Sequence, residues 1–558
     1  VVLKAQLPEG FDSLRLHQEV AIEQVLECYD NDIDVVFLDA PTGSGKTLIG
    51  HQVAAELALK MGTKAALTQA GMFTALYVCS DKALQDQFMK DFPHAKMLKG
   101  RANYPTQSNP NATAADCTAV RMGDKCFNCE GGKAECPYEI AKREALAAPL
   151  AVINTAYLLS EANYVGGFSG RDLIIADEGD TLEKMMMGFI EYRVPDRLMD
   201  EVNMKPPIKG ARKKTIVQWL DDFADELDAL QAKVSRVRET KRWNSIRYAS
   251  AAARRASGEI AKDIEINAAD DESSGIWLRS YPFNPKGGEI ESLNLVPVVV
   301  NRHGTKNLWR HGRKWLIMSA TIVSADEMAD SLGLPLDYET VKVPMTFPVE
   351  NRPIILAPVA NVVYKEMDAA VKDLAYAIAV ACDKHPGERV LVHTVSYKLA
   401  QRLEDELRRG EWRISPRNLV TYGEGRGKDE AMAKFMRHGD SVMLAPSMTR
   451  GVDMKDDMCR VQIIAKCPFL SLGDKQVSSR MHLPGGQMWY TVNTIREIVQ
   501  MTGRAVRHEE DWAVTYVFDR QFMQGLWKRW KRLFPAWWAE SVDSTQDVRE
   551  FMRPRESR

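Results

Sequence analysis

No apolar run approaches the roughly 20 residues that a membrane-crossing helix needs, so a helical membrane protein is excluded and no membrane partner is expected. Charge of one sign is also missing. The formal net charge is −2, which excludes a wholly basic exterior and leaves room only for a local nucleic-acid groove. Residues 1–10 lack a secretory pattern, and a soluble, cytoplasmic protein is expected. Cysteine is scarce, at nine in 558 residues, which argues against a disulfide scaffold. Cys28, Cys79, Cys382, Cys459 and Cys467 stand singly in apolar surroundings and read as small buried hydrophobes. There is no compositional bias either: 45% hydrophobic and 27% charged residues are ordinary for a globular chain. At about 100–200 residues per domain, about three to four domains are expected.

What the chain does contain is organised around residues 40–47, Ala-Pro-Thr-Gly-Ser-Gly-Lys-Thr. An apolar run at 35–38 precedes them and a helix-like stretch at 48–61 follows, giving strand, phosphate loop and helix. Gly43 and Gly45 can take backbone angles closed to other residues, so that Thr42, Gly43, Ser44 and Gly45 cradle phosphate oxygens at a helix N-terminus. Lys46 is expected to neutralise the outer phosphates and Thr47 to hold Mg²⁺. Upstream, Arg15 and Gln18 open a helical pattern and are candidates for an adenine edge, Gln offering both donor and acceptor. A second apolar strand, 173–176, ends in Asp177 and Glu178. Asp177 is expected on Mg²⁺, and Glu178 is expected to orient or deprotonate the attacking water. These features define a nucleoside triphosphatase.

Between the two elements lie Cys117, Cys126, Cys129 and Cys136 in a polar segment with too few apolar residues for a core. A metal centre would supply the cross-link, and four thiolates suit either tetrahedral zinc or an iron-sulfur cluster. From 181 to 293 the α/β pattern stops. Ile216, Leu220, Phe223, Leu227, Leu230 and Val234 recur at helical spacing. A basic stretch with Lys233, Arg236, Arg238, Lys241, Arg242, Arg247, Arg254 and Arg255 follows, which either faces phosphates or forms a solvated face interleaved with acids. Beyond it come an apolar strand ending in Ser319-Ala320-Thr321, a proline-punctuated linker over 343–353, and further strands and helices. Gln500 opens Gln-Met-Thr-Gly-Arg-Ala-Val-Arg, in which Arg504 and Arg507 share a helix face and can both reach one departing phosphate.

Taken together, these stretches resemble the XPD/DinG-like iron-sulfur helicases of superfamily 2. The resemblance rests on the loop at 40–47, Asp-Glu-Gly at 177–179, Ser-Ala-Thr at 319–321, Gly-Val-Asp at 451–453 with Asp453 on the nucleotide, and Gln-x-x-Gly-Arg-x-x-Arg at 500–507, in the family's order. It implies two RecA-like lobes, ATP and Mg²⁺, a 4Fe-4S cluster on Cys117, Cys126, Cys129 and Cys136, and 5′ to 3′ movement on single-stranded DNA. Two positions depart from the family: Asp180 stands where His is usual, and Arg450 where Glu is frequent. No added nuclease domain is expected before residue 40.

The expected fold is α/β, with two parallel-sheet lobes. The first lobe occupies 1–110, 141–182 and 293–346, the cluster domain 111–140, a mainly helical arch-like insertion 183–292, and the second lobe 347–558. The expected activity is an ATP-dependent DNA helicase acting on single-stranded and forked DNA, duplexes or R-loops. The alternatives are a translocase that strips proteins from DNA, and a weakly catalytic subunit of a larger nucleic-acid-processing complex.

Overall fold

The computed structural model describes residues 3–62, 67, 73–107, 109, 111–117, 131–207, 211–236, 238–266, 277–280, 293–412, 414, 419–423, 427–447, 454, 456–503 and 506–554. Short apolar runs build a first sheet from β1 (Val35–Asp39), β2 (Ala75–Cys79), β3 (Lys96–Met97), β4 (Leu150–Asn154) and β5 (Arg171–Asp177). An insertion then carries β6 (Tyr192–Arg193), β7 (Trp277–Ser280) and β8 (Asn294–Pro297). The chain returns with β9 (Gly312–Ser319) and β10 (Tyr338–Lys342). The order is β10-β1-β9-β5-β2-β4-β3, with every pairing parallel.

A parallel sheet is covered on both faces, so its strands are continuously apolar rather than alternating. Val35, Val36, Phe37 and Leu38 accordingly have no exposed surface. One face packs on Val25, Leu26, Ile49 and Val53 from the helices Leu16–Asp30 and Lys46–Lys60. The other packs on Leu158, Met186 and Trp309. This arrangement puts the ends of β1, β9 and β5 side by side, and ligands of open α/β sheets bind at such carboxyl ends.

The second sheet uses β11 (Ile354–Ala360), β12 (Val390–His393), β13 (Leu419–Thr421), β14 (Val442–Ala445), β15 (Val461–Ile464), β16 (Val514–Asp519) and β17 (Val542–Asp543). Its order is β13-β14-β12-β15-β16-β11-β17, again all parallel. Two α/β lobes are thus present, as expected. The linker between them is held by Arg352, whose guanidinium binds the Trp537 carbonyl, Ser541 Oγ and Glu540.

The insertion is only partly as expected. Helices Lys213–Lys233 and Thr240–Ile266 pack through Leu220, Phe223 and Leu227 against Ile246, Ala253 and Ile260. Beside them lies an antiparallel sheet, β6-β8-β7, which the helical reading did not anticipate. Strands of two and four residues are too short to show a period of two. Of the four clustered cysteines, Cys117 and Cys136 are buried; Cys126 and Cys129 lie outside the described residues. No helix among the described residues is long and apolar enough to cross a membrane.

Candidate active site

β1 runs into a turn that enters the Lys46–Lys60 helix, so the loop residues sit at a helix N-terminus where free N–H groups attract anions. Gly43 and Gly45 hold φ of 83° and 79°. Neither has room for a side chain: a Cβ on Gly45 would collide with Gln18 Nε2, and one on Gly43 with the ring of Phe347. Gln18 is buried, donates to the Ser44 carbonyl at 3.0 Å and accepts from the Arg15 N–H at 2.9 Å. Arg15 Nη1 donates to the Gly43 carbonyl at 3.4 Å. Both residues brace the loop, and while Gln18 has each end of its amide occupied, the Arg15 fork keeps further donors. The Ser44 hydroxyl is buried with no hydrogen-bond partner among the described residues. An orphan donor at a helix N-terminus fits a loop made to receive phosphate oxygens.

Lys46 lies between two carboxylates, Asp39 and Asp177. Burial raises the pKa of each, and the Lys46 ammonium works against that rise at both. The Tyr77 hydroxyl donates to Asp177 Oδ2 at 3.0 Å and is also hydrogen-bonded to Thr47. It therefore joins the two expected metal ligands. Tyr77 escaped the sequence reading, although it is the only residue of that strand with a polar tip on an otherwise apolar body. Glu178 follows with φ 51°, a left-handed conformation that costs a non-glycine residue about 1–3 kcal/mol and tends to occur at functional turns. The turn is fastened by Thr181, whose N–H and hydroxyl donate to the Glu178 carbonyl at 2.9 and 2.8 Å.

Asp39 gives a pH-dependent expectation. Its Oδ1 is buried without a hydrogen bond among the described residues. Burial pushes its pKa up to about 6, against the pull of Lys342 and Lys46. A raised folded value means that the stability contributed by this group is fully present below the unfolded value of about 3.9 and is lost as pH rises through about 6. Asp39→Asn does not titrate. Its stability relative to the parent is expected to climb by about 1.4 kcal/mol per pH unit within that window and then level off. Paired thermal melts across the window check this, and a flat difference counts against it.

Asp180 is where the two lobes meet. It is buried; its Oδ1 accepts from Ser319 Oγ at 2.9 Å and its Oδ2 from Gln500 Nε2 at 2.9 Å. Gln500 Nε2 also donates to Thr321 Oγ1 at 3.0 Å. One turn earlier on the Gly486–Thr502 helix, Arg496 Nε donates to the Thr321 carbonyl at 3.1 Å and lies 4.0 Å from Asp180 Oδ2. A carboxylate in this place accepts from both lobes at once, and Arg496, unforeseen in the sequence, balances its charge. Gln500 Oε1 has no hydrogen-bond partner among the described residues.

The same segment reaches the phosphate loop. Thr42 Oγ1 lies 3.6 Å from where a Gly503 Cβ would stand, and the Arg507 carbonyl 3.2 Å from the corresponding point on Gly43. Asp511 is fully buried. It accepts from the Arg507 N–H at 3.0 Å and pairs with Arg460, which anchors this approach. Lys46, Thr47, Asp177, Gln500 and Arg507 are thereby collected around one cleft. The helix ends at Thr502 with Gly503 at its cap, so Arg507 lies in non-helical chain and not on the helix face expected for it; Arg504 and Asp453 lie outside the described residues.

Residues 12–186 match the family model of the type III restriction enzyme, res subunit, and residues 378–541 that of the helicase C-terminal domain. The chain is 27% identical over 178 residues to a Fanconi anemia group J protein homolog of Gallus gallus, covering 27% of this chain and 14% of that protein. It is 23% identical over 242 residues to the ATP-dependent DNA helicase YoaA of Escherichia coli, covering 42% of this chain and 37% of that one. The chain thus spans well under half the length of these relatives. Among solved structures, an XPD helicase aligns at a TM-score of 0.59 and 15% identity, over 94% of this chain and 98% of that one. Xpd4 of S. tokodaii aligns at 0.52 and 13%, over 91% and 96%. These likenesses show the fold.

Proposed function

We propose that this chain is an XPD/DinG-like superfamily 2 helicase, an ATP-dependent DNA helicase moving 5′ to 3′ on single-stranded DNA. The observation that carries this reading is the convergence of Lys46, Asp177 and Gln500 from two lobes on one cleft, with Asp180 bonded across it. ATP is bound by the loop at 42–47, with Thr47 and Asp177 as the residues that would hold Mg²⁺. Glu178 orients the attacking water, while Arg504 and Arg507 steady the departing phosphate. Arg15 and Asp453 are proposed on the nucleotide as well. Closing and opening of the cleft advances a single strand, and duplex separation follows because opening one base pair costs on average about 1.4 kcal/mol. Forked DNA and R-loops are the proposed substrates, the cytoplasm the proposed location, and a larger nucleic-acid-processing complex a proposed setting.

A fork with a 5′ tail, offered with ATP, tests the reading. Strand separation supports it; ATP turnover without separation points to a translocase, and neither to a binding subunit. Asp180 favours a working motor over the binding subunit, because it bonds both lobes rather than leaving them uncoupled.

Cys117, Cys126, Cys129 and Cys136 are the proposed ligands of a 4Fe-4S cluster. Cys117 and Cys136 are 2% and 4% exposed, and buried cysteines in a segment with little core of its own fit a cross-linking metal group. That segment touches the insertion through Asp116, which pairs with Lys241 at 3.0 Å. The two are proposed to frame the path of the strand and to act as the wedge. Cys126→Ser is therefore expected to reduce fork opening at least tenfold (~1.4 kcal/mol) while DNA-stimulated ATP hydrolysis falls less. Equal unwinding by variant and parent would remove the segment from the wedge, and a colourless, zinc-containing parent prepared without oxygen would overturn the cluster.

A further inference from the structure

We infer that the insertion carries a stacking surface for single-stranded DNA along the exposed side of the Thr240–Ile266 helix. It is built from Arg247 and Tyr248 and continued onto the first lobe by Arg255 and Tyr164. This rests on the reading of the chain as a DNA motor and names where, outside the lobes, the strand is gripped.

Five members of the basic stretch fall into two sets. Lys241 pairs with Asp116, Arg242 with Glu201 and Glu239 at 3.1 and 2.8 Å, and Arg254 with Asp225 and Asp228 at 2.7 and 2.6 Å. These are exposed ion pairs of the ordinary kind, worth little to stability. The second set lies on rings instead. The Arg247 guanidinium stands 5.4 Å from the Trp243 ring centre and 4.8 Å from that of Tyr248, and Arg255 stands 4.9 Å from that of Tyr164. Neither Arg247 nor Arg255 has a carboxylate partner among the described residues. Among the described residues, no carboxylate neutralises their charge.

An exposed tyrosine alone would mean nothing. Here Tyr248 and Tyr164, 53% and 56% exposed, alternate with guanidinium groups that face no acid among the described residues. Residues 248 and 255 are two helical turns apart and share a face. From 248 to 255 the helix rises about 10.5 Å at 1.5 Å per residue, close to three nucleotides stacked at about 3.4 Å. Cations without a carboxylate among the described residues answer phosphates and the exposed parts of the rings answer bases, a combination that serves single strands of any sequence. A duplex hides its base faces and can use only the cations.

Affinities of the full chain, without nucleotide, for oligo-dT, for an abasic oligomer of equal length and for a blunt duplex test the surface. The parent is expected to prefer oligo-dT to the abasic strand. Tyr248→Ala should weaken oligo-dT binding about tenfold and leave abasic binding unchanged, while Tyr248→Phe retains the preference. Replacing Arg247 and Arg255 together by Ala should weaken both oligomers and flatten the salt dependence of log affinity by about 1.4, at about 0.7 per lost single-strand phosphate contact. All these side chains are exposed, so the thermal midpoint should not move. Undiminished oligo-dT binding by Tyr248→Ala, or equal losses on oligo-dT and abasic strand, overturns the stacking surface and leaves the motor reading standing. A parent that binds no single strand overturns both.

Discussion

Lys46→Ala is expected to bring ATP hydrolysis down to background, and Glu178→Gln to do so while still binding ATP. The two losses have different physical origins. Lys46 is the ammonium that opposes the burial-driven rise at both Asp39 and Asp177. Its removal would take a cation from the proposed phosphate site and at the same time let Asp177 rise further, so the proposed metal-binding carboxylate would itself be weakened. Nucleotide affinity and turnover should fall together. Glu178 lies at the strained turn after β5, where its backbone N–H already serves Asp177 Oδ1 at 3.0 Å. Changing its carboxylate to an amide leaves that backbone contact in place and removes only the acceptor proposed to position the water, a role worth about 10²–10⁴ in rate. Equilibrium ATP binding and steady-state hydrolysis, measured separately for each variant, check the assignment; substantial turnover by either protein would sink it.

The parts of the site that depend on local backbone rules were legible in the sequence. Gly43 and Gly45 are needed because the turn takes positive φ and abuts Phe347 and Gln18, and the loop occupies the strand-to-helix position its spacing implies. Asp177 ends a strand that is apolar because both its faces are covered. What was not legible lies across long sequence separations. Tyr77 reaches Asp177 from a neighbouring strand. Phe347 packs on Gly43 from the linker, and Arg496 meets Asp180 from the other lobe. No periodicity encodes such meetings; they follow from strand order and from how the lobes face each other. Asp180 is the clearest instance. Read along the chain it is a departure from the usual His, whereas in space it is the acceptor for Ser319 and Gln500. The basic stretch of the insertion was ambiguous for the same reason, since the acids that neutralise Arg242 and Arg254 come partly from other elements.

Arg507→Ala is expected to remove most of the hydrolysis, by about 10³–10⁵-fold if it acts as a finger on the departing phosphate, while single-strand affinity changes little. Its placement supports the role. The Arg507 N–H is fixed to Asp511, itself buried and paired with Arg460. The Arg507 carbonyl is packed close to Gly43. The residue therefore arrives at the phosphate loop only when the lobes are together, a state that the Gln500 bonds to Asp180 and Thr321 favour. Arg507→Lys should recover little, because a point charge on a flexible stem does not reproduce a planar fork spanning two phosphate oxygens. The discriminating measurement is the rate of DNA-stimulated hydrolysis at saturating ATP beside the affinity for a single strand. A finger lost from the closed cleft lowers the first and spares the second, whereas a merely structural arginine would lower both along with the thermal midpoint. Hydrolysis by Arg507→Ala within tenfold of the parent would mean that the lobes reach the reactive state without it.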